Sequence, residues 1–238
     1  MTIYLAVIFF GPKLMEKRSA FQLKNVILIY NISIAIANAY ISYELYLRSN
    51  LLNYTLFCTP KTTSNDPNEI RLATAIWLYY LTKFIELLDS VFFVLRKKPN
   101  QLSFLHVYHH AMMVGYALLC IKWFPVGLCT YSPLQISAFE GVHVLMYLYY
   151  GLSTLGPTVA KYLWWKKYLT MIQMIQFIIG MLIALVSYYT GCGFIPEWMM
   201  IINFFFIGIF FFLFGQFYIA SYRKSPKTAQ EDTKLKEK

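Results

Sequence analysis

All four histidines of this chain lie within two strongly apolar stretches of its sequence. His106, His109 and His110 belong to LSFLHVYHHAMMVGYALLC, and His143 belongs to ISAFEGVHVLMYLYYGL. Ionisable side chains are costly to place in membrane-compatible sequence, so they indicate a buried functional site. At about 100° per residue, the first three histidines share about 100° of one helix face. The spacing therefore predicts three imidazoles presented in one direction by a single helix.

A second group of ionisable residues recurs at every third position of the preceding apolar stretch. Lys83, Glu86 and Asp89 fall within about 120° of one helix face. We expect Glu86 or Asp89 to orient a histidine through its second ring nitrogen, as carboxylates commonly do. The alternative is a purely structural salt bridge between Lys83 and Glu86.

Polar side chains also recur at helical spacing in two further apolar stretches. Tyr147 and Tyr150 share a helix face with His143, and Glu140 lies one turn before it. A stripe of amides follows in the next stretch, formed by Gln173 and Gln176. Hydrogen bonding between helices would explain these amides as well as a role in a site.

The composition predicts an integral membrane protein. The chain is 58% hydrophobic and only 13% charged, against roughly 25% charged in a soluble domain. We expect an all-α fold, a polytopic bundle of seven transmembrane helices, as one membrane domain at 1–222 with a disordered basic tail at 223–238. The expected spans are 2–11, 26–47, 72–95, 102–122, 132–153, 168–190 and 198–220. The first looks cut short, and it lacks the basic region and cleavage site of a signal peptide.

The charge pattern predicts how the bundle is oriented. The net charge is +10, but most Lys and Arg residues lie in alternate loops and the tail, which is a topology signal rather than a sign of nucleic-acid binding. The C-terminus is accordingly expected in the cytosol. It ends KLKEK, a dilysine-type pattern that indicates retrieval to the endoplasmic reticulum.

Three of the four cysteines, Cys58, Cys129 and Cys192, fall in the predicted non-cytosolic loops, where disulfides can form. Three pairs are possible. We expect Cys58 to pair with Cys192, because these two lie in the longest of those loops.

Two classes of enzyme fit the HxxHH spacing. A single-metal site is possible, whereas a di-iron centre needs more histidines than this chain has. Acyl transfer by an imidazole nucleophile or base needs neutral rings with carboxylate or amide partners, and the sequence supplies both. We expect no metal. A non-enzymatic alternative is a seven-span transporter or receptor with a buried proton relay.

Four segments of the sequence resemble the signature motifs of the very-long-chain fatty acid elongases, the ELO family: KFIELLDS, LHVYHH, HVLMYLYYG and LTMIQMIQF. The flanking segments GPKLMEKR, FFVLRKK and LWWKKYLT resemble that family too. The similarity runs from about residue 11 to 222 in the family's order and spacing.

The resemblance implies an endoplasmic reticulum acyltransferase, a 3-oxoacyl-CoA synthase. Such an enzyme condenses a long-chain acyl-CoA with malonyl-CoA and releases CO2 and CoA. It needs no cofactor beyond its CoA thioester substrates, whose phosphates suit the basic cytosolic side. The bilayer and the other enzymes of the elongation cycle are the expected partners.

Within that chemistry we expect His109 to be the nucleophile, with His106 and His110 shaping the site. His143 would act on the malonyl carboxylate or the developing enolate, with Tyr147 nearby as a supporting residue. The expected supporting residues are Lys83, Glu86, Asp89, Tyr150, Gln173 and Gln176. The chain departs from the family pattern at Ser90, which replaces a usual Thr, and at Phe139, which is followed by Glu140 and replaces a usual Asn.

Overall fold

The computed structural model describes residues 1–57, 65–123, 132–190 and 197–222. Within these ranges every regular element is a helix, and a short 3-10 helix spans Pro99–Gln101. The α-helices are α1 Thr2–Met15, α2 Lys24–Leu51, α3 Pro67–Ile85, α4 Leu88–Leu95, α5 Phe104–Trp123, α6 Pro133–Ser153, α7 Pro157–Ala160, α8 Lys166–Tyr189 and α9 Glu197–Tyr222.

The predicted fold class is confirmed, because the described chain is an all-α bundle with membrane-spanning character. By length and composition, four of the helices within the described ranges could cross a membrane: α2, α5, α8 and the part of α9 from Ile201 onward. Large apolar side chains on their outer faces are exposed, among them Ile36 and Phe205, as expected of surfaces in contact with lipid. The exact number of seven spans stays a prediction.

The predicted span at 72–95 is wrong as a single helix, because the structure divides it into α3 and α4. At the junction the backbone makes tight i→i+3 hydrogen bonds, from Leu87 N to Phe84 O (3.3 Å) and from Asp89 N to Glu86 O (3.1 Å). These are 3-10 contacts, which narrow the helix locally and change its phase. Lys83, Glu86 and Asp89 therefore do not share one continuous α-helix face.

The first turns of α3 and α6 are set by local sequence. The Asp66 side chain accepts a hydrogen bond from Asn68 N before α3. Ser132 and Gln135 form a reciprocal capping box before α6, and Pro133 occupies its first position. These side chains satisfy amide groups that a helix leaves unpaired at its beginning.

Helix α6 packs closely along α2 in an antiparallel arrangement. Ser42 Oγ donates to Ser137 O (2.8 Å), and Ser137 Oγ donates back to Ser42 O (2.7 Å). Eleven residues earlier in α2, Asn31 faces Gly151, where an added Cβ would lie 3.4 Å from the Asn31 Cβ. Small residues permit this close approach, which fixes the face of α6 that carries His143.

The cysteine expectation falls largely outside the described residues, since Cys58, Cys129 and Cys192 all lie there. The fourth cysteine, Cys120, is fully buried in α5 and is disulfide-bonded. The set of three candidates was therefore incomplete, because it left out a cysteine in apolar sequence. The Cys58–Cys192 pair stays a prediction. The expected tail at 223–238 also lies outside the described residues.

Candidate active site

Three imidazole rings form a contiguous group on the first turns of α5, which we call the histidine cluster: His106, His109 and His110. The His106 and His110 ring centroids are 4.3 Å apart, and those of His109 and His110 are 5.2 Å apart and nearly perpendicular. His110 is buried and the other two are partly buried. The predicted sharing of one helix face is confirmed.

His106 is held by a hydroxyl from α4. Ser90 Oγ lies 2.8 Å from His106 Nε2, and the ring packs against Phe93 at 4.9 Å between centroids. Ser90 is completely buried. Ser90, which stands where the family usually has Thr, is thus a direct partner of the histidine cluster.

His109 and His110 have looser surroundings than His106. The His109 ring meets Phe210 of α9 edge-on at 5.3 Å, and no hydrogen bond to its ring nitrogens is found among the described residues. His110 Nε2 lies 3.9 Å from Asp89 Oδ2, which is beyond the usual hydrogen-bond length of about 3.2 Å. His109 is therefore the imidazole of the cluster with the least engaged nitrogens.

His143 is oriented by its own helix. Its Nδ1 lies 2.9 Å from the carbonyl oxygen of Phe139. A carbonyl only accepts, so Nδ1 carries the hydrogen and Nε2 keeps its lone pair in the neutral ring. Glu140 Oε1 is 3.8 Å from the same Nδ1, close enough for charge to act although too far for a hydrogen bond.

Lys83 is the centre of a buried ion cluster, which we call the interior ion cluster: Lys83, Glu86 and Glu140. Its Nζ lies 2.9 Å from Glu86 Oε1 and 3.0 Å from Glu140 Oε1. Only 2% of the Lys83 side chain is exposed. The predicted pairing with Glu86 is confirmed, and Glu140 adds a second carboxylate to the one cation.

Asp89 links the two histidine-bearing helices. Its Oδ2 accepts a hydrogen bond from the Tyr147 hydroxyl of α6 (2.9 Å) and faces His110 of α5. Among the described residues, the expected orientation of a histidine by Glu86 or Asp89 does not appear as a hydrogen bond: Asp89 bonds Tyr147 and stays 3.9 Å from His110, and Glu86 bonds Lys83. The described orienting contacts come instead from Ser90 and from the Phe139 carbonyl.

Three of the predicted supporting residues lie apart from these contacts. Tyr150 is 43% exposed and packs against Tyr149. Gln173 Nε2 contacts Met146 Sδ at 3.6 Å, and Gln176 Nε2 donates to Ala138 O at 3.0 Å. The amide contacts described here bridge α8 to α6, which is the helix-packing alternative that the sequence left open.

Sequence reasoning missed the aromatic and hydroxyl partners of the histidine cluster. Phe93, Phe210 and Tyr4 are contributed by α4, α9 and α1, and Tyr4 reaches the cluster through Ser90. Apolar spacing gave no signal for them, since phenylalanines in such helices usually pack or face lipid. Among the described residues, no group of three His, Cys, Asp or Glu could hold a metal ion.

A basic recess of about 490 Å³ opens where α4 ends and α6 ends. Arg96, Lys97 and Lys98 line one side, and Ser153 and Thr154 line the other. Gln101, also in its wall, is only five residues before His106 along the chain. The recess therefore offers cations and hydroxyls beside the end of α5 that carries the histidine cluster.

These features define a class: a polytopic helical membrane protein with imidazoles and carboxylates gathered in its interior. Comparison with known proteins gives the family. The chain matches the ELO family, described as the GNS1/SUR4 family, over residues 1–230. It belongs to that family, which confirms the resemblance seen in its motifs.

Three similar proteins are elongases of a macaque and of the mouse. The chain is 44% identical over 231 residues to very long chain fatty acid elongase 4 of Macaca mulatta, which covers 96% of this chain and 72% of the relative. It is 41% identical over 223 residues to elongase 2 of Mus musculus (94% and 74%) and 39% identical over 238 residues to elongase 1 of the same species (98% and 84%). These similarities and the apolar helices support the conclusion that this chain is a multi-pass membrane protein of fatty acid elongation.

Proposed function

We propose that this protein is the condensing enzyme of microsomal fatty acid elongation. It joins a long-chain acyl-CoA to malonyl-CoA and yields a 3-oxoacyl-CoA two carbons longer, CO2 and free CoA. Membership of the elongase family supports the overall reaction. The observation that carries the chemistry is the histidine cluster, in which His109 has neither a hydrogen bond nor an ion-pair contact among the described residues, whereas His106 bonds Ser90 and His110 lies 3.9 Å from Asp89.

The first half-reaction transfers the acyl group to His109. A ring nitrogen attacks the thioester carbonyl, the carbon–sulfur bond breaks, and CoA leaves as a thiolate that takes a proton. The product is an acyl-imidazole, a reactive acyl donor. A ring with unengaged nitrogens in an apolar setting suits this role, because nucleophilic attack needs a free lone pair and hydrolysis needs water.

The second half-reaction uses His143 on malonyl-CoA. Loss of CO2 leaves an enolate whose carbon attacks the acyl-imidazole, forming the carbon–carbon bond and releasing His109. The Phe139 carbonyl holds His143 in the tautomer with Nε2 unprotonated, and Glu140 lies 3.8 Å from the other nitrogen. Nε2 takes from water the proton that this half-reaction consumes, since a carboxylate beside Nδ1 stabilises positive charge on the ring, and gives it to the ring nitrogen of His109 as the bond between that nitrogen and the acyl carbon breaks. Tyr147, bound to Asp89, supports the same face.

The basic recess is the proposed docking point for the phosphates of both CoA thioesters. Arg96, Lys97 and Lys98 supply the positive charge, and Ser153 and Thr154 supply hydroxyl donors. Arginine and lysine are well suited to phosphate. The wall of the recess includes Gln101, which comes shortly before the start of α5 along the chain, and in this proposal the thioester of a docked substrate extends from there toward the histidine cluster.

In this proposal the protein resides in the endoplasmic reticulum with its C-terminus in the cytosol. The positive charge of alternate loops supports that orientation, and membership of the elongase family supports the compartment. Its substrates are long-chain acyl-CoA and malonyl-CoA, and the ketoreductase, dehydratase and enoyl reductase of the cycle act on its product. No cofactor or metal takes part in these steps.

The test is malonyl-CoA-dependent elongation by the purified full chain in lipid nanodiscs. We expect wild-type protein to elongate a panel of acyl-CoAs and His109→Ala to lose at least about 10³-fold in rate, since the nucleophile is removed. Leu118→Ala is the control, because this exposed residue on the same helix is outside the site. Intact-mass analysis after incubation with acyl-CoA alone should show acyl transfer to wild-type protein and none to His109→Ala.

Two outcomes would contradict the proposal. Wild-type protein that binds acyl-CoA but elongates nothing would favour the transporter or receptor alternative. Elongation by His109→Ala at a rate near that of wild type would exclude His109 as the acyl carrier while leaving the overall reaction in place.

A further inference from the structure

A hydrogen-bonded chain connects the first helix to the histidine cluster. The Tyr4 hydroxyl of α1 lies 3.0 Å from Ser90 Oγ of α4, which lies 2.8 Å from His106 Nε2 of α5. Tyr4 and Ser90 are both buried. Helix α1 therefore meets two helices that lie far later in the chain, α4 and α5, through one serine hydroxyl.

These two hydrogen bonds have a favoured direction, because the phenol of Tyr4 is a stronger donor than the hydroxyl of Ser90. A serine hydroxyl has one hydrogen to give and two lone pairs. When the more acidic phenol of Tyr4 donates to Ser90, the serine hydrogen is free to point at His106 Nε2. That direction holds the ring as the neutral tautomer with Nδ1 protonated and Nε2 accepting.

Without the phenol, Ser90 has another option. A serine inside a helix readily turns its hydroxyl to the backbone carbonyl three or four residues earlier, here at Leu87 or Glu86. A hydroxyl that makes that bond has no hydrogen left for His106. The hydrogen bond from Tyr4 thus disfavours the conformation in which the Ser90 hydroxyl donates to the backbone.

We propose that Tyr4 is a positioning residue for the histidine cluster, acting through Ser90 to fix the orientation and tautomer of His106. Helix α1 then contributes a residue that supports the candidate active site. The activity part of this inference rests on the proposed elongase function. The structural part concerns the reactivity of one imidazole and does not depend on it.

The first test measures that imidazole directly. Diethyl pyrocarbonate acylates unprotonated imidazole nitrogens, and peptide mass mapping gives the labelling rate of each histidine in folded, detergent-solubilised full chain. We expect Tyr4→Phe to accelerate labelling of His106 about fivefold, as loss of one hydrogen bond implies. His143 should label at its wild-type rate and serves as the internal reference, and Tyr40→Phe, on an exposed face of α2, should change neither.

The second test asks whether the effect passes through Ser90. We expect Tyr4→Phe to lower kcat about fivefold with little change in KM for malonyl-CoA. Tyr4→Phe should have no further effect in a Ser90→Ala background, whereas in Ser90→Thr, which keeps a hydroxyl, it should act as in wild type.

The inference is overturned if His106 labels at the wild-type rate in Tyr4→Phe, or if the Tyr4→Phe and Ser90→Ala losses add. Additive losses would mean that Tyr4 only packs α1 against α4. A wild-type protein without elongation activity would remove the proposed function, yet the labelling result would still decide the role of Tyr4.

Discussion

Two ion clusters of this protein combine glutamates with basic side chains in opposite charge balance. In one, which we call the arginine cluster, the Glu44 carboxylate receives Arg48 Nε at 2.9 Å and an Arg71 nitrogen at 2.7 Å, and Arg48 also donates to Asn68. In the interior ion cluster, a single Lys83 is shared by Glu86 and Glu140. The first has two cations for one carboxylate, and the second has the reverse.

The surroundings differ as well. Arg71 is 54% exposed at its side chain, so the arginine cluster reaches the bundle surface and its excess positive charge is solvated. The interior ion cluster is enclosed, and Glu140 Oε2 has no hydrogen-bond partner among the described residues. An enclosed carboxylate without full pairing costs free energy of folding. Such a cost is typical of a site that performs chemistry, whereas the arginine cluster ties α2 to α3.

Removal of the shared cation should have the largest effect on stability. Lys83→Met leaves Glu86 and Glu140 facing each other in an apolar interior. We expect the free energy of unfolding to fall by about 3–5 kcal/mol, as when one partner of a buried ion pair is lost. Denaturant titration of the nanodisc-embedded protein measures it. Lys24→Met, at the exposed start of α2, is the matched control. If the two variants have the same free energy of unfolding, Lys83 does not pair with the two carboxylates in the folded protein.

Neutralising Glu140 should lower the elongation rate while changing the free energy of unfolding only slightly. In Glu140→Gln the cation keeps Glu86, so the free energy of unfolding should change by only about 1 kcal/mol. The elongation rate should fall roughly tenfold, equivalent to about 1.4 kcal/mol, because the charge 3.8 Å from His143 Nδ1 is lost.

Glu44→Gln provides the comparison for Glu140→Gln. It removes a carboxylate from the arginine cluster, so it should lower stability while the rate per folded molecule stays at the wild-type value. If Glu140→Gln retains the wild-type rate and Glu44→Gln does not, the assignment of roles to the two clusters is reversed.

Local periodicity explains what the sequence predicted well. The three histidines of α5 share a face because they lie within five residues of one regular helix, and Lys83 with Glu86 pair for the same reason. The α3–α4 junction was missed because residues 84–88 contain neither glycine nor proline to mark it. No local pattern in the sequence therefore marks the 3-10 contacts of this junction.

Contacts between distant segments could not be predicted from one sequence. Glu140 reaches Lys83 across 57 residues, and Tyr4 reaches Ser90 across 86. Each depends on the pairing and register of helices, such as α2 against α6, that hydrophobic spacing leaves undetermined. The motifs therefore located the candidate site, while the partners that orient its imidazoles required the fold.

The smallest effect is expected at the exposed end of the arginine cluster. Arg71→Gln removes one of two cations, and Arg48 still pairs with Glu44. A solvent-exposed ion pair contributes about 0–1 kcal/mol, so the free energy of unfolding should fall by no more than that, and the difference should shrink as salt is raised. Elongation should be unaffected. A loss above about 3 kcal/mol, or any tenfold loss of rate, would show that the arginine cluster, like the interior ion cluster, supports more than the packing of two helices.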